Sequence, residues 1–352
     1  MHQTSLEYGV QRAPRSEFIP IRNLNYHVLV WGDSSTTTPS AAHTLPPLVL
    51  MHGWMDVAAS YQFMVDAFSE AFFANRLILA ADWRGYGKTT GRERNAEPPQ
   101  ASSAPSGGSA AHAVASVGAY GDVDNYWFPD YLADLDFLLD HYAPNQPVDL
   151  VGHSMGGNVV MMYAGSRPER IRRLVNLEGF GMPENRASQA PARYAKWMNE
   201  LKSLQRGEMT LKSYDSSQGV ARRLMKTNPR LARDDAGIAK ANWLATHWAA
   251  ENAAGQWEIL GDPAHKITNA NLSSVPEALE LYKCITAPVL AVEASDDSLG
   301  QWWEGKYTLD QYHERLKSVP NCTIAVIEDA GHMLHHDQPQ TLAQLIEGFV
   351  NS

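Results

Sequence analysis

The sequence predicts an α/β protein built on a mostly parallel sheet with helices on both faces. Three observations carry that expectation. Short apolar runs recur along the chain, helical patterns separate them, and one strand-to-helix junction holds a serine between glycines, Gly152-His153-Ser154-Met155-Gly156. Strands apolar on both sides need helices on both sides, which is the environment of parallel sheets.

The elements follow in order. Tyr26–Trp31 reads as an early strand stopped by Gly32-Asp33, and Leu48–Met51 as a short, fully apolar one running into His52-Gly53-Trp54. Tyr61–Ala74 has the spacing of an amphipathic helix, and Leu77–Ala81 is a strand ending at Asp82-Trp83-Arg84-Gly85. In Tyr131–Tyr142, Leu132, Leu135, Leu138 and Leu139 share one stripe, so a helix is expected. Strands follow at Val148–Val151, Leu174–Leu177, Val289–Val292 and Thr323–Ile327, and Thr341–Phe349 closes the chain as a helix. Ligands of such sheets bind at the carboxyl ends of the strands.

Two segments break the rhythm. Glu97–Ala119 is rich in Pro, Ser, Gly and Ala without a usable period, and reads as a flexible surface insertion. Pro183–Ile285 is helical in pattern and reads as a cap of about a hundred residues over the carboxyl edge of the sheet. The core is then 1–182 with 286–352, and the cap 183–285.

Composition excludes several function classes. The chain has 352 residues, 44% of them hydrophobic, so wholesale disorder is excluded. It carries 29 basic against 39 acidic residues with no run of five like charges, so no nucleic-acid partner is expected. Cys284 and Cys322 are too few for a disulfide framework and wrongly spaced for a zinc knuckle. The first residues lack a basic stretch followed by an apolar one, and no apolar run is long enough to span a membrane. A cytoplasmic protein without a membrane span is therefore expected. Ten Trp suggest a large aromatic pocket or interface.

The chemistry starts at Ser154. Gly-x-Ser-x-Gly between a strand and a helix forms a sharp turn in which the flanking residues must lack side chains, and the helix N-terminus faces the hydroxyl. A serine needs a base, and the base an orienting acid. His332, after the strand ending at Ile327, is the expected base. His335, His336 and Asp337 follow it, but their spacing matches no common zinc signature, so no metal is expected. Glu178, Glu293, Asp296 and Asp297 all sit at or just past strand ends, in the order serine, acid, histidine. The oxyanion donors are expected to be the N–H of Met155 and one from Gly53 or Trp54.

Taken together, His52-Gly53-Trp54, Asp82–Gly87, Gly152–Gly157, Pro288 to Asp297 and Gly331-His332 resemble the α/β-hydrolase superfamily. The closest likeness is to its lidded branch, which contains esterases, epoxide hydrolases, haloalkane dehalogenases and carbon–carbon bond hydrolases. The resemblance runs from about residue 16 to the end, apart from 97–119. It implies an eight-stranded, mostly parallel sheet with a helical cap after the sixth strand. It also implies Ser154 as nucleophile, His332 as base, Asp297 as acid and Trp54 with Met155 as oxyanion donors. Ala294 stands where relatives keep Gly, and Glu178 stands where some dehalogenases keep their acid. Epoxide hydrolases and dehalogenases use Asp as nucleophile, so Ser154 argues against both.

The expected activity is hydrolysis of a carboxylic ester or lactone with an apolar small-molecule substrate and no cofactor. Amide or carbon–carbon bond hydrolysis by the same triad is the alternative, and a non-catalytic receptor on this fold is the rival from another class. Gly53, Tyr194, Trp197, Trp243 and Trp248 are the expected substrate-lining residues.

Overall fold

A computed structural model describes residues 6–32, 45–74, 76–92, 120 and 123–352. The insertion expected at 97–119 lies outside the described residues.

The strands are β1 (Arg15–Ile21), β2 (Leu24–Trp31), β3 (Leu48–Met51), β4 (Ile78–Ala81), β5 (Thr90–Gly91), β6 (Val148–His153), β7 (Ile171–Leu177), β8 (Ser213–Tyr214), β9 (Ala249–Glu251), β10 (Trp257–Ile259), β11 (Val289–Ala294) and β12 (Cys322–Ile327). The α-helices are α1 (Gln62–Ala67), α2 (Glu70–Phe73), α3 (Phe128–Tyr142), α4 (Met155–Ser166), α5 (Ala190–Gln205), α6 (Ser217–Thr227), α7 (Asp235–Trp248), α8 (Val275–Lys283), α9 (Ser298–Trp303), α10 (Leu309–Leu316), α11 (Leu334–Asp337) and α12 (Pro339–Asn351).

The main sheet runs β1-β2-β4-β3-β6-β7-β11-β12, with the short β5 beside β2. β1, β2 and β4 pair antiparallel and every later neighbour is parallel. Alternate residues of each strand feed opposite cores, as the pleat requires. Val49, Met51, Leu150 and Ala291 join one cluster with α3, α4 and Tyr282 of α8. Leu48, Leu50, Val151 and Leu290 join the other with α1, α11 and α12. The expected mostly parallel sheet with helices on both faces is the observed fold, its eight-strand path carrying β5 as a ninth strand.

The sequence reading did not contain β1. Its outward residues are exposed and Pro20 interrupts the apolar pattern, which a strand at the sheet edge tolerates because one row of its N–H groups lies unpaired. The expected helix 61–74 is two helices. Phe68 turns extended (ψ 149°), and the Ser69 hydroxyl then accepts from Phe72 N at 3.2 Å to start α2.

Between β7 and β11 lies the expected cap segment, but it is not purely helical. β8, β10 and β9 form a small antiparallel sheet. Val220, Ala221, Leu231, Ala241, Ala245 and Ala249 make a separate core between α6, α7, the turn that joins them and the start of β9. α8 belongs to the main body, because Gly165 of α4 has room only for hydrogen against the Leu281 carbonyl. The segment with its own core therefore ends before α8, short of the expected boundary at 285, where α4 needs a covering helix.

Candidate active site

Three loops at the carboxyl edge of the sheet converge on Ser154. The first is the elbow. Ser154 sits between β6 and α4 at φ 53°, ψ −114°, a conformation L-residues avoid outside strained sites. Its N–H donates to Leu177 O at 2.8 Å, which ties the turn to β7. A methyl at Gly152 would collide with the Gly156 carbonyl, and one at Gly156 with the Met51 and His52 carbonyls. The two glycines are required by close backbone approach on both sides of the serine.

The second loop follows β3. His52 holds it: Trp83 N–H donates to His52 Nε2 at 2.9 Å, His52 Nδ1–H donates to Gly53 O at 2.8 Å, and Trp83 Nε1–H donates to His52 O at 2.9 Å. Burial pushes the His52 imidazole down to about 4, so the neutral tautomer these bonds require persists at neutral pH. Gly53 lies against Ser154, where a Cβ would come within 3.1 Å of Ser154 Cβ. Among the described residues, no protein acceptor engages the backbone N–H of Trp54 or Met155. Met155 opens α4, where N–H groups have no partner inside the helix.

The third loop follows β12. His332 O accepts from His153 Nε2–H at 2.8 Å, which fixes the loop to the residue preceding Ser154. His332 Nδ1–H donates to Glu178 Oε2 at 3.2 Å, and the Trp302 ring stands edge-on to the imidazole at 4.2 Å. Glu178 leaves β7 at φ 56° and its other oxygen accepts from Ala294 N at 2.7 Å. Burial lowers the His332 imidazole to about 3 and raises the Glu178 carboxyl to about 7. The cost of placing charge in a dry pocket is the largest cause of both shifts, with Asp297 and Asp296 adding to the rise at Glu178, so His332 rests neutral.

The acid expected from the resemblance, Asp297, is not the carboxylate against His332. It is exposed, and its Oδ1 accepts from Gly300 N at 2.7 Å as the N-cap of α9. Asp296 pairs with Arg230 at 2.6 Å, and Glu293 with His313 at 2.7 Å. Of the four candidate carboxylates, only Glu178 hydrogen-bonds to His332.

The aromatic residues expected to line the pocket fare unequally. Trp248 reaches the site, donating from Nε1 to Met55 O at 3.0 Å in the loop after β3. Trp243 does not. It packs edge-on to Tyr8 and Phe63 and borders a cleft of about 280 Å³ with Leu6 and Thr246. Tyr194 and Trp197 lie on α5, where no residue is buried; Tyr194 is 45% exposed and Trp197 half-buried. The sequence reading missed Trp302, whose ring covers His332. Its neighbour Trp303 marks a local aromatic pair, but nothing in that pattern points toward His332.

The α/β-hydrolase fold family model matches residues 46–339. The chain belongs to the α/β-hydrolase family, and it is a hydrolase. It is 23% identical to a serine hydrolase-like protein of Danio rerio over 91% of this chain and 86% of that protein. It is 28% identical to a cis-3-alkyl-4-alkyloxetan-2-one decarboxylase of Shewanella oneidensis over 64% and 67% of the two chains. It is also 22% identical to an sn-1-specific diacylglycerol lipase of Xenopus laevis, over 87% and 80%. Among solved structures, the thioesterase domain from the curacin biosynthetic pathway superposes with a TM-score of 0.69 at 20% identity, over 96% of this chain and 99% of that one. No helix among the described residues of this hydrolase is long and apolar enough to cross a membrane.

Proposed function

We propose that this hydrolase cleaves a carboxylic ester, open or cyclic, through Ser154, His332 and Glu178. The observation that carries the reading is His332, held between the Glu178 carboxylate and the residue preceding Ser154. His332 Nε2 takes the Ser154 proton as Oγ attacks the carbonyl carbon, and Glu178 stabilises the imidazolium formed. The Trp54 and Met155 N–H groups receive the oxyanion, each donor contributing about 3–4 kcal/mol. His332 then protonates the leaving alkoxide, and water repeats the sequence on the acyl-enzyme to release the acid. All five groups belong to the chain itself, and the cycle needs no cofactor.

Two further features support an apolar ester. Trp54 and Trp302 expose large rings beside the oxyanion loop and His332. Some relatives also carry names of ester chemistry: one is a diacylglycerol lipase, and another acts on an oxetan-2-one, which is a cyclic ester. The test is a fluorophosphonate probe read by intact mass, beside turnover of p-nitrophenyl esters of graded chain length. One adduct per chain, lost in Ser154→Ala, is expected together with ester turnover. Folded protein that takes no adduct and turns over no ester would overturn the reading.

A further inference from the structure

Behind the three catalytic loops lies a cluster that the hydrolytic cycle does not use. Asp56 comes from the loop after β3, His153 from the end of β6 and His335 from α11. Their donor atoms lie within 4.8 Å of one another, and all three residues are buried. Asp56 Oδ2, His153 Nδ1 and His335 Nδ1 have no hydrogen-bond partner among the described residues. Orphaned buried polar atoms are rare, and three that converge need an explanation.

The surrounding bonds say what the three atoms are. His153 Nε2 carries the proton, because it donates to His332 O, so its Nδ1 is a bare lone pair. Ser60 Oγ lies 3.1 Å from His335 Nε2 and 2.5 Å from His336 Nε2. The hydroxyl has one proton, so at least one of the two Nε2 atoms donates to it, and His335 Nδ1 is bare when its own Nε2 is the donor. Three unpartnered polar atoms then face one another in a buried space. Each imidazole is held through its far nitrogen by a carbonyl or a hydroxyl, the arrangement that orients histidine ligands of metals. Gly53 leaves space here, since a Cβ would come within 3.0 Å of His153 Nδ1.

We propose that Asp56, His153 and His335 form a binding site for a divalent transition-metal ion of the zinc type. Two neutral imidazoles and one carboxylate suit such an ion. Bonds of about 2.1 Å place the donors of a tetrahedral ion about 3.4 Å apart, so closure moves the side chains by little more than an ångström. The ion would link the loop after β3, the residue before Ser154 and the helix after His332, and so tie together the three loops that carry the chemistry. The site is independent of the ester reading, because no ligand atom belongs to Ser154, His332 or Glu178.

The test uses the full chain after removal of metal by a chelator, titrated with Co2+ and then with Zn2+. One equivalent of Co2+ with the strong visible absorption of a tetrahedral ion is expected, displaced by Zn2+ and accompanied by a rise in Tm. Asp56→Asn keeps shape and hydrogen bonding while removing the charged ligand, and should weaken affinity about 100-fold. His335→Gln should remove the absorption. Circular dichroism of both variants checks that they fold. Stoichiometric binding lost in folded Asp56→Asn supports the site. Absence of binding in the wild type, or binding unchanged in both folded variants, overturns it and leaves the cluster to an internal water donating to the two imidazoles.

Discussion

α4 and α5 are neighbours in the chain order of helices and opposites in packing. α4 follows Ser154, and most of its residues are buried between the sheet, α3 and α8. α5 opens the segment between β7 and α8 with sixteen residues, none of them buried. The remainder of that segment sides with α4. Arg230 pairs with Asp296, Asn228 Nδ2 donates to Asp337 at 2.7 Å, Lys240 Nζ donates to His336 O at 2.9 Å, and Trp248 holds Met55. The α6–α7 part thus braces the loops after β3, β11 and β12, while α5 leans on few contacts, such as Arg193 Nε to Asn269 O at 2.6 Å. The difference fits a division of tasks under the proposed function: the groups proposed to react are fixed by dense packing, and a surface open to substrate is left loosely held.

The largest expected effect lies on the fixed side. Glu178→Gln should lower ester turnover by about 10³- to 10⁴-fold, equivalent to about 4–5.5 kcal/mol, because the imidazole loses the partner that sets its tautomer. The melting temperature should move little, since Gln can still accept from Ala294 N. Asp297→Asn should leave turnover within about threefold, as Asn remains a good N-cap. Steady-state kinetics on the two proteins decides between the carboxylates, and the reverse ranking would return the role to Asp297.

That pair of residues also shows how far the sequence could be read. The elbow was legible because its strain admits only glycine at Gly152 and Gly156, so geometry is written directly into residue type. The strand ends were legible because parallel strands buried on both faces are short and apolar. The carboxylate facing His332 was not, because several strands end in a carboxylate and choice among them depends on side-chain direction. Glu178 turns toward His332 through a positive φ at a non-glycine residue, which no local pattern announces. Asp297 satisfies the family spacing and uses its carboxylate to cap α9. The cluster of Asp56, His153 and His335 was equally hidden, since its members lie in a loop, a strand end and a helix joined only by the fold.

Next in size is Gly156→Ala. The new methyl meets two backbone carbonyls of the loop after β3, which cannot move without moving the oxyanion donors. A loss of about 3 kcal/mol or more is expected in denaturant unfolding, together with most of the turnover. Gly207, past the end of α5, is the control. Unlike Gly156 it has positive φ (71°), but nothing lies within 4 Å, so Gly207→Ala should cost only about 1 kcal/mol, the penalty of the left-handed backbone alone. Equal costs at the two sites would break the contrast between the regions.

A smaller effect should appear with acid. Asp82 pins the fixed side, accepting from Ala58 N at 2.7 Å and Lys88 N at 2.9 Å and pairing with His27 at 2.7 Å. Burial opposes its ionisation, but His27 and the other donors outweigh burial and hold the carboxyl down to about 2, against 3.8 in the unfolded chain. A depressed folded value stabilises the native state above pH of about 4, and the contribution fades as pH falls from 4 toward 2. It amounts to about 2 kcal/mol at neutral pH. Unfolding free energies of wild type and Asp82→Asn should therefore differ most near pH 6 and converge by pH 2. A gap that stays constant across that range would remove the ionic contribution and leave only packing.

The smallest change in stability should come from α5, where the contrast has its functional meaning. Tyr194 is 45% exposed and Met198 is 48% exposed on the same helix, four residues apart and so on one face. Side chains this exposed make little stabilising contact, and Tyr194→Ala should shift unfolding free energy by no more than about 0.5 kcal/mol. An apolar surface that the fold does not use is available to an acyl chain, and each methylene it covers contributes about 0.8 kcal/mol. If substrate lies along α5, truncating Tyr194 should lower kcat/KM for long-chain p-nitrophenyl esters by several-fold while leaving the acetate unchanged. Trp243→Ala, on the far cleft beside Tyr8 and Phe63, should do the opposite, lowering stability with the chain-length profile intact. An unchanged profile in Tyr194→Ala would mean that substrate does not run along this face of α5, and the exposed rings of Trp54 and Trp302 would then be the surface to probe.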